Sequence, residues 1–469
     1  MMSDQATTMT VHLPLHSWVV NLAEKCPHRI VALLGSLCLL AYIITIPLPR
    51  IDGNLIGSDG VFYYAFLPSI WLDHDLDMAN QYRQLLPAER INLMHPTSNG
   101  LLPNDYAVGA ALLWSPFFLS AHAISLVINH AGMRVSLDGT SYLYQAITMI
   151  GSIVYGCIGL WLMTISYRRI VSHRAAIMAS VLLWFITNII YYMVVEPSMS
   201  HMVSLFTVSL FVATWMKTRV SSSLVRWATL GATGGLIMLV RLPDATILIL
   251  PVIEHMISTR IWEKPSRVVS ALGQYTVFGI AAVAVFTPQM VVWYFFNGSP
   301  FISGYLITAQ PTFNWLQPHL LDVLVSPFHG LWLWHPITLI AAIGFLWLYR
   351  QHRSLTILLL LGFLMQVYVI GAWRDWYQGD AFGGRMFIAS IPILGFGLAS
   401  LLDQPFIARH WKATFAIFAV LLGWNVLFAM QYRLGYIPMG APITAHQMFA
   451  GKFEMITDII RQVLQLLKR

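Results

Sequence analysis

Residues 141–165 read SYLYQAITMIGSIVYGCIGLWLMTI, and the chain goes on through Arg168 and Arg169 to Arg174. The run carries no charge and is long enough for a helix to cross a hydrocarbon core of about 30 Å. The three arginines that follow mark the side of the membrane on which such a helix stops. Similar runs recur at about 30–48, 175–195, 202–216, 224–240, 244–257, 270–295, 331–349, 355–372, 386–402 and 412–430. With 57% hydrophobic and 10% charged residues, against roughly 25% charged in soluble domains, the chain excludes a soluble globular fold. The expectation is an all-α polytopic membrane protein of about eleven spans, forming a single membrane-embedded domain over 1–469.

Lys25, His28 and Arg29 precede the apolar run Ile30–Leu48 with no small-residue cleavage site, the pattern of a signal anchor. The formal charge of +7 is spread over short loops, which fits membrane orientation and no nucleic-acid partner. Cys26, Cys38 and Cys157 have neither metal-ligand nor disulfide-framework spacing.

Segment 106–129 is apolar enough to span, yet it contains Pro116 and follows a polar loop. If it does not cross, 15 basic and 5 acidic residues fall on the N-terminal side of the membrane, against 12 and 15 on the other. The excess of Lys and Arg then places the N-terminus in the cytoplasm and the C-terminus outside. The segment is therefore expected to be interfacial or re-entrant, with Trp114, Phe117 and Phe118 in the headgroup zone. The outer face would comprise a first loop at 49–140 with interfacial helices, short turns at 196–201 and 241–244, loops at 296–330 and 373–385, and a tail over 431–469.

The ionisable residues gather on that face. Asp59 lies in the turn Gly57-Ser58-Asp59-Gly60, where a carboxylate can meet an aqueous cleft and act as general base, or can simply be a solvated turn residue. Asp73, Asp75 and Asp77 alternate as oxygen ligands for a hard cation could, or as caps of a short interfacial helix do. Glu196-Pro197-Ser198-Met199-Ser200-His201 and Arg241-Leu242-Pro243-Asp244 place charges where insertion costs roughly 2.5–3.5 kcal/mol each. Asp244 can serve a ligand or pair with Arg241. The loop Trp373–Arg385 sets Trp376, Tyr377, Asp380 and Arg385 among glycines, a composition suited to sugar faces and phosphate oxygens. His329 and His335 add imidazoles near the same face, His335 equally as a helix cap before Pro336.

Ser58-Asp59-Gly60 with Tyr63-Tyr64, Asp73–Asp77, Glu196–His201, Arg241–Asp244 and Trp376–Arg385 resemble the polyprenyl-phosphate-dependent type C glycosyltransferases, the superfamily of protein O-mannosyltransferases and the lipid A aminoarabinose transferase. The resemblance covers most of the chain as architecture. It implies a multi-pass protein of the cytoplasmic membrane with its active site facing the periplasm or exterior. Sugar would move from a polyprenyl-phosphate donor to the hydroxyl of a lipid, glycan or protein acceptor, with inversion. Asp59 would be the base, Arg241, Arg385, His201 and His329 would hold the donor phosphate, and Tyr63, Tyr64, Glu196, Asp244, Trp376, Tyr377 and Asp380 would contact substrate. The chain departs from the best-known members in lacking an Asp-Glu or Asp-x-Asp pair at Asp59 and a large C-terminal soluble domain. A divalent cation is possible and no cofactor is otherwise implied. The competing readings are a transporter or flippase for a lipid-linked saccharide, and another outer-leaflet transferase such as an O-antigen ligase, polymerase or acyltransferase.

Overall fold

A computed structural model describes residues 27–46, 54–219, 221–308 and 312–466. Residues 47–53, where the first loop is expected to open, and the N-terminal segment with Lys25 lie outside them. Among the described residues all regular structure is helical, apart from one isolated bridge between Phe313 and Trp373. Helices satisfy their own backbone groups, which is what lipid demands.

In chain order the helices that position the site are α1 (Pro27–Thr45), α2 (Gly60–Pro68), α3 (Gly109–His130), α4 (Tyr142–Tyr167), α5 (His173–Ile186), α6 (His201–Thr218) and α7 (Leu224–Val240). They continue with α8 (Leu250–Thr259), α9 (Pro265–Asn297), α10 (Ile337–Gln351), α11 (Arg353–Ala372), α12 (Ile391–Leu402), α13 (Trp411–Arg433) and α14 (Gly451–Leu466). Seven stretches of the described residues are long and apolar enough to cross a membrane by length and composition. They are α3, α4, Leu242–Thr259, α9, α11, Arg385–Leu402 and α13. Shorter apolar helices form at Arg29–Thr45, α5, α7 and α10.

Several of the apolar runs are not continuous α-helices, for local reasons. The run 175–195 divides at Thr187, whose extended backbone ends α5 before Ile189–Val194 resumes. The run 331–349 breaks at His335, because the following proline disfavours the helical conformation there. Two others open with 3-10 turns, Leu242–Ile249 and Arg385–Ser390. Segment 106–129, expected to be interfacial or re-entrant, forms the unbroken 22-residue α3 with Pro116 inside it.

Small residues set the spacing between helices. Gly231 and Gly235 lie one turn apart on α7, and a Cβ at either would come within 2.2 Å of Phe278 O or 2.3 Å of Ala282 O on α9. Gly344 of α10 and Gly397 of α12 make the same kind of backbone approach, a Cβ on Gly344 reaching 2.1 Å from Gly397 O. Such contacts gain dispersion energy where no hydrophobic drive between helices exists.

Offsets between neighbours leave a basin at one end of the bundle. Ser152 Oγ donates to Pro197 O at 2.5 Å, so α4 extends about ten residues, roughly 15 Å, past the turn that opens α6. α3 runs antiparallel to α4, with Tyr155 OH donating to Leu113 O, and starts where α7 ends: a Cβ on Gly109 would stand 2.4 Å from Leu239 O. The first turns of α6 and the last of α7 therefore form a floor, walled by α3, α4 and the end of α9.

Gly235→Ala is expected to destabilise the protein by about 1–3 kcal/mol, because the added methyl meets backbone that cannot rotate away. Thermal unfolding in detergent checks this; an unchanged midpoint would mean that α7 and α9 can separate freely.

Candidate functional site

The basin floor holds a carboxylate locked between two partners. Asp59 directly precedes α2 and follows Ser58, which is held at φ +53°. Gly60 lets this turn press against the 196–200 turn, since a Cβ there would lie 2.2 Å from Ser198 Oγ. Tyr106 OH donates to Asp59 Oδ1 at 2.8 Å, and Arg385 Nη2 donates to Oδ2 at 3.0 Å from 326 residues away. Tyr106 is itself fixed by stacking on Phe62 at 5.0 Å between ring centroids.

Arg385 is carried back to Asp59 by a loop full of left-handed residues: Gln378 at φ +71°, Gly379 at +67° and Gly383 at +65°. Gly383 sits so close to His335 that a Cβ would reach 2.3 Å from its Nε2. Tyr192 OH accepts from Phe382 N at 2.9 Å, and Gln378 Oε1 accepts from Met386 N at 2.7 Å. His329 Nδ1 lies 2.7 Å from Tyr377 O, and a carbonyl can only accept, so the ring proton is on Nδ1. Burial holds His329 down at about 4, so it is neutral near pH 7 and acts as a clamp on the loop.

Arg241 leaves α7 in an extended conformation and reaches His201 Nδ1 at 3.4 Å. Since guanidinium never accepts, the His201 proton is on Nε2 in the neutral ring. Behind Arg241 stands Asp244, its Oδ2 3.9 Å from Arg241 Nε. Ser204 Oγ and Gln366 Nε2 donate to Asp244 at 2.6 and 3.0 Å, and Thr246 Oγ1 donates to Gln366 at 2.9 Å.

Asp59, Arg385, Arg241 and His201 border a polar cavity of about 320 Å³. Of the residues singled out from sequence, Asp59, Tyr63, His201, Arg241, Tyr377 and Arg385 line it. The other six stand apart from its lining. Tyr64 is fully buried on the opposite side of α2 and donates to Gly139 O at 2.7 Å. Asp244 is 1% exposed and supports Arg241 from behind. Glu196 accepts from Tyr191 OH at 3.2 Å; burial raises its pKa and the nearby Arg385 opposes the rise. His329 holds the loop, Trp376 stacks on His319, and Asp380 lies against Gly440.

Tyr106, Tyr305, Ser200, Trp373, Asp375 and Gln378 also line the cavity. Four of them lie inside stretches that sequence composition already marks, 196–201 and 373–385. Tyr106 and Tyr305 carry no such signal beyond being aromatics in polar loops. Gln378 is 3% exposed, and its Nε2 has no partner among the described residues. A second, mainly apolar cavity of about 370 Å³ adjoins the first, sharing Tyr63, Arg241, Tyr305, Trp373 and Met386 with it and continuing along Phe286, Trp293 and Phe313. Asp73, Asp75 and Asp77 do not form a cation site: Asp73 accepts from Asn80 and Gln81, while Asp75 and Asp77 accept from nearby backbone N–H groups. Among the described residues no group of three or more His, Cys, Asp or Glu is placed to hold a metal ion.

No family model matches the chain, and no curated protein matches it in sequence. Among solved structures, the archaeal oligosaccharyltransferase AglB from Archaeoglobus fulgidus, in complex with an inhibitory peptide and a dolichol-phosphate, is similar at TM-score 0.46 and 12% identity, over 90% of this chain and 57% of that one. The apo form of the Archaeoglobus fulgidus oligosaccharyltransferase gives 0.44 and 12%, over 89% and 57%. Its complex with Zn and sulfate gives 0.44 and 13%, over 89% and 54%. This chain thus spans little more than half the length of those proteins.

The His329 clamp has a pH signature. Its folded pKa of about 4 lies below the ordinary 6.5, so the unfolded chain binds the extra proton between those values and stability falls as pH drops through that window. His329→Asn, which tolerates φ +62° and keeps a donor for Tyr377 O, should make the fall in unfolding temperature between pH 6.5 and 4 shallower. An identical slope in the variant would remove His329 as its source.

Proposed function

We propose that the chain is an integral-membrane glycosyltransferase that moves a sugar, with inversion, from a polyprenyl-phosphate donor to an acceptor hydroxyl on a lipid, glycan or protein. In this reading the cavity opens on the outer face of the cytoplasmic membrane, as the loop charges imply. The observation that carries the proposal is the Asp59–Arg385 pair, joined at 3.0 Å within a polar cavity that abuts an apolar one at Arg241.

An amphiphile fits that arrangement. Its isoprenoid chain would occupy the apolar cavity, its phosphate the junction at Arg241 and His201, and its sugar the polar cavity beside Asp59, Arg385 and Gln378. In the reaction the acceptor oxygen attacks the anomeric carbon and its proton passes to an Asp59 oxygen. The bond from that carbon to the phosphate oxygen breaks as the new one forms, and the polyprenyl phosphate departs with the electron pair. Arg385 and Arg241, preorganised in a poorly hydrated cleft, stabilise the growing negative charge more than the ground state. Gln378 Nε2 would donate to a sugar oxygen, which would account for a side chain kept at a left-handed position where glycine is easier.

Purified protein in liposomes, supplied with polyprenyl-phosphate-linked sugars and assayed for a new glycosidic bond, tests the proposal. Asp59→Asn should lower turnover by about 100-fold or more, in line with loss of a general base. Arg385→Ala should also fall steeply, and soluble nucleotide sugars should not replace the lipid donor. Wild-type turnover in both folded variants would end the reading, and translocation without bond formation would favour a transporter.

Gln378→Gly separates strain from recognition. Glycine relieves the strain at φ +71° but gives up the bond that Gln378 Oε1 accepts from Met386 N; these effects oppose each other, so this variant should still fold, yet bind sugar-bearing lipid about tenfold more weakly while holding bare polyprenyl phosphate equally well. Parallel affinities for the two lipids would remove Gln378 from sugar recognition.

A further inference from the structure

The last described helix, α14, has a two-sided pattern that the site does not use. Phe453, Ile456, Ile459, Ile460, Val463 and Leu464 fall on one half of its circumference, and Glu454, Asp458, Arg461, Gln462 and Gln465 on the other. Its first turns are docked on α13. Met455 is fully buried, and Lys452 is sunk in the middle of the apolar half, where its Nζ donates to Gln431 Oε1 at 2.8 Å and stands 3.0 Å from the Phe428 ring centroid and 4.6 Å from that of Trp424. The docking ends there. Every residue from Ile460 to Leu466 is exposed, with Ile460 at 54% and Leu464 at 52%.

What covers this face follows from its neighbour. α13 is the least buried of the seven membrane-length stretches, and it turns Phe415, Ile417 and Val420 outward. An apolar helix of that length has lipid as its surroundings, and α14 starts at its end. The open face of α14 therefore continues a lipid-facing surface at the level where that surface meets headgroups. A half-apolar helix of this kind gains by lying flat with its apolar side in the headgroup–acyl boundary.

We infer that α14 is an interfacial anchor whose Ile456–Ile460–Val463 face lies in the bilayer surface. The connection from α13 gives the anchor a purpose. Ile437, Ile443 and Met448 of this strap are buried, and Gly440 closes on Asp380, where a Cβ would come within 2.4 Å of the carboxylate. Lipid contact at α14 thus fixes a strap that bears on the Trp373–Arg385 loop. The inference holds whether or not the protein transfers sugar.

Spin labels on single cysteines at positions 456, 458, 460, 462, 463 and 465 test it, in the full chain with Cys26, Cys38 and Cys157 replaced by serine and in nanodiscs of phosphatidylethanolamine and phosphatidylglycerol. Labels at 456, 460 and 463 should be several-fold more accessible to oxygen than to an aqueous nickel chelate, and those at 458, 462 and 465 the reverse. Nickel access all round would overturn the inference. So would shielding of the apolar positions from both reagents with a doubled protein mass, which would mean a second copy covers the face. The native-cysteine chain gives a second reading: Ile460→Asp with Val463→Asp should raise amide exchange over 451–466 in nanodiscs by about tenfold, and unchanged exchange would overturn it.

Discussion

Asp59 and Arg385 can occupy the floor of the basin only together. An isolated charge at membrane depth costs roughly 2.5–3.5 kcal/mol on insertion scales. Pairing removes that cost but does not make the site a source of stability, because desolvation of both ions offsets much of their attraction. An apolar pair of similar volume would serve the fold as well. The surrounding structure reads as what is needed to hold the pair.

That support is substantial. Asp59 is brought in by a strained Ser58 and by a glycine that tolerates Ser198 against its Cα. Arg385 is returned by three left-handed residues within a loop fastened to Tyr192, His329 and the 312–319 segment. Left-handed backbone at a non-glycine residue costs of order 1–3 kcal/mol, so Ser58 and Gln378 persist only because their neighbours over-determine them. Arg241 is held the same way, through Asp244, Ser204 and Gln366, none of which needs to touch a ligand.

Sequence reasoning reaches the charged members of this site because the membrane makes them conspicuous. Asp59, Arg241 and Arg385 stand in loops that adjoin long uncharged runs. It does not reach which face a residue takes. Tyr63 and Tyr64 are adjacent on α2, where successive side chains point about 100° apart, so Tyr63 lines the cavity and Tyr64 packs toward Gly139. His329 looks like a phosphate donor from its composition, yet burial and the Tyr377 carbonyl make it a loop clamp. Tyr106 and Tyr305 are set by long-range packing between the first loop and the 296–330 loop, for which no local pattern exists. The breaks at Thr187 and His335 are similar: hydropathy sees a continuous run, while backbone geometry divides it.

The same geometry links the two halves of the proposed reaction. Tyr106 donates to one Asp59 oxygen and Arg385 to the other, so in the proposed reaction a substrate would meet both groups already oriented. On that reading a phosphate anion entering at Arg241 would compete with the carboxylate for the Arg385 guanidinium. Arg385 Nη1, buried and without a partner among the described residues, would give that competitor a second donor on the same group. In the proposed reaction, negative charge growing on the departing phosphate would tip the competition its way and loosen the hold on an Asp59 oxygen as the acceptor hydroxyl gives up its proton. On the proposed reading, the base and the leaving-group clamp would thus be coupled through a single guanidinium.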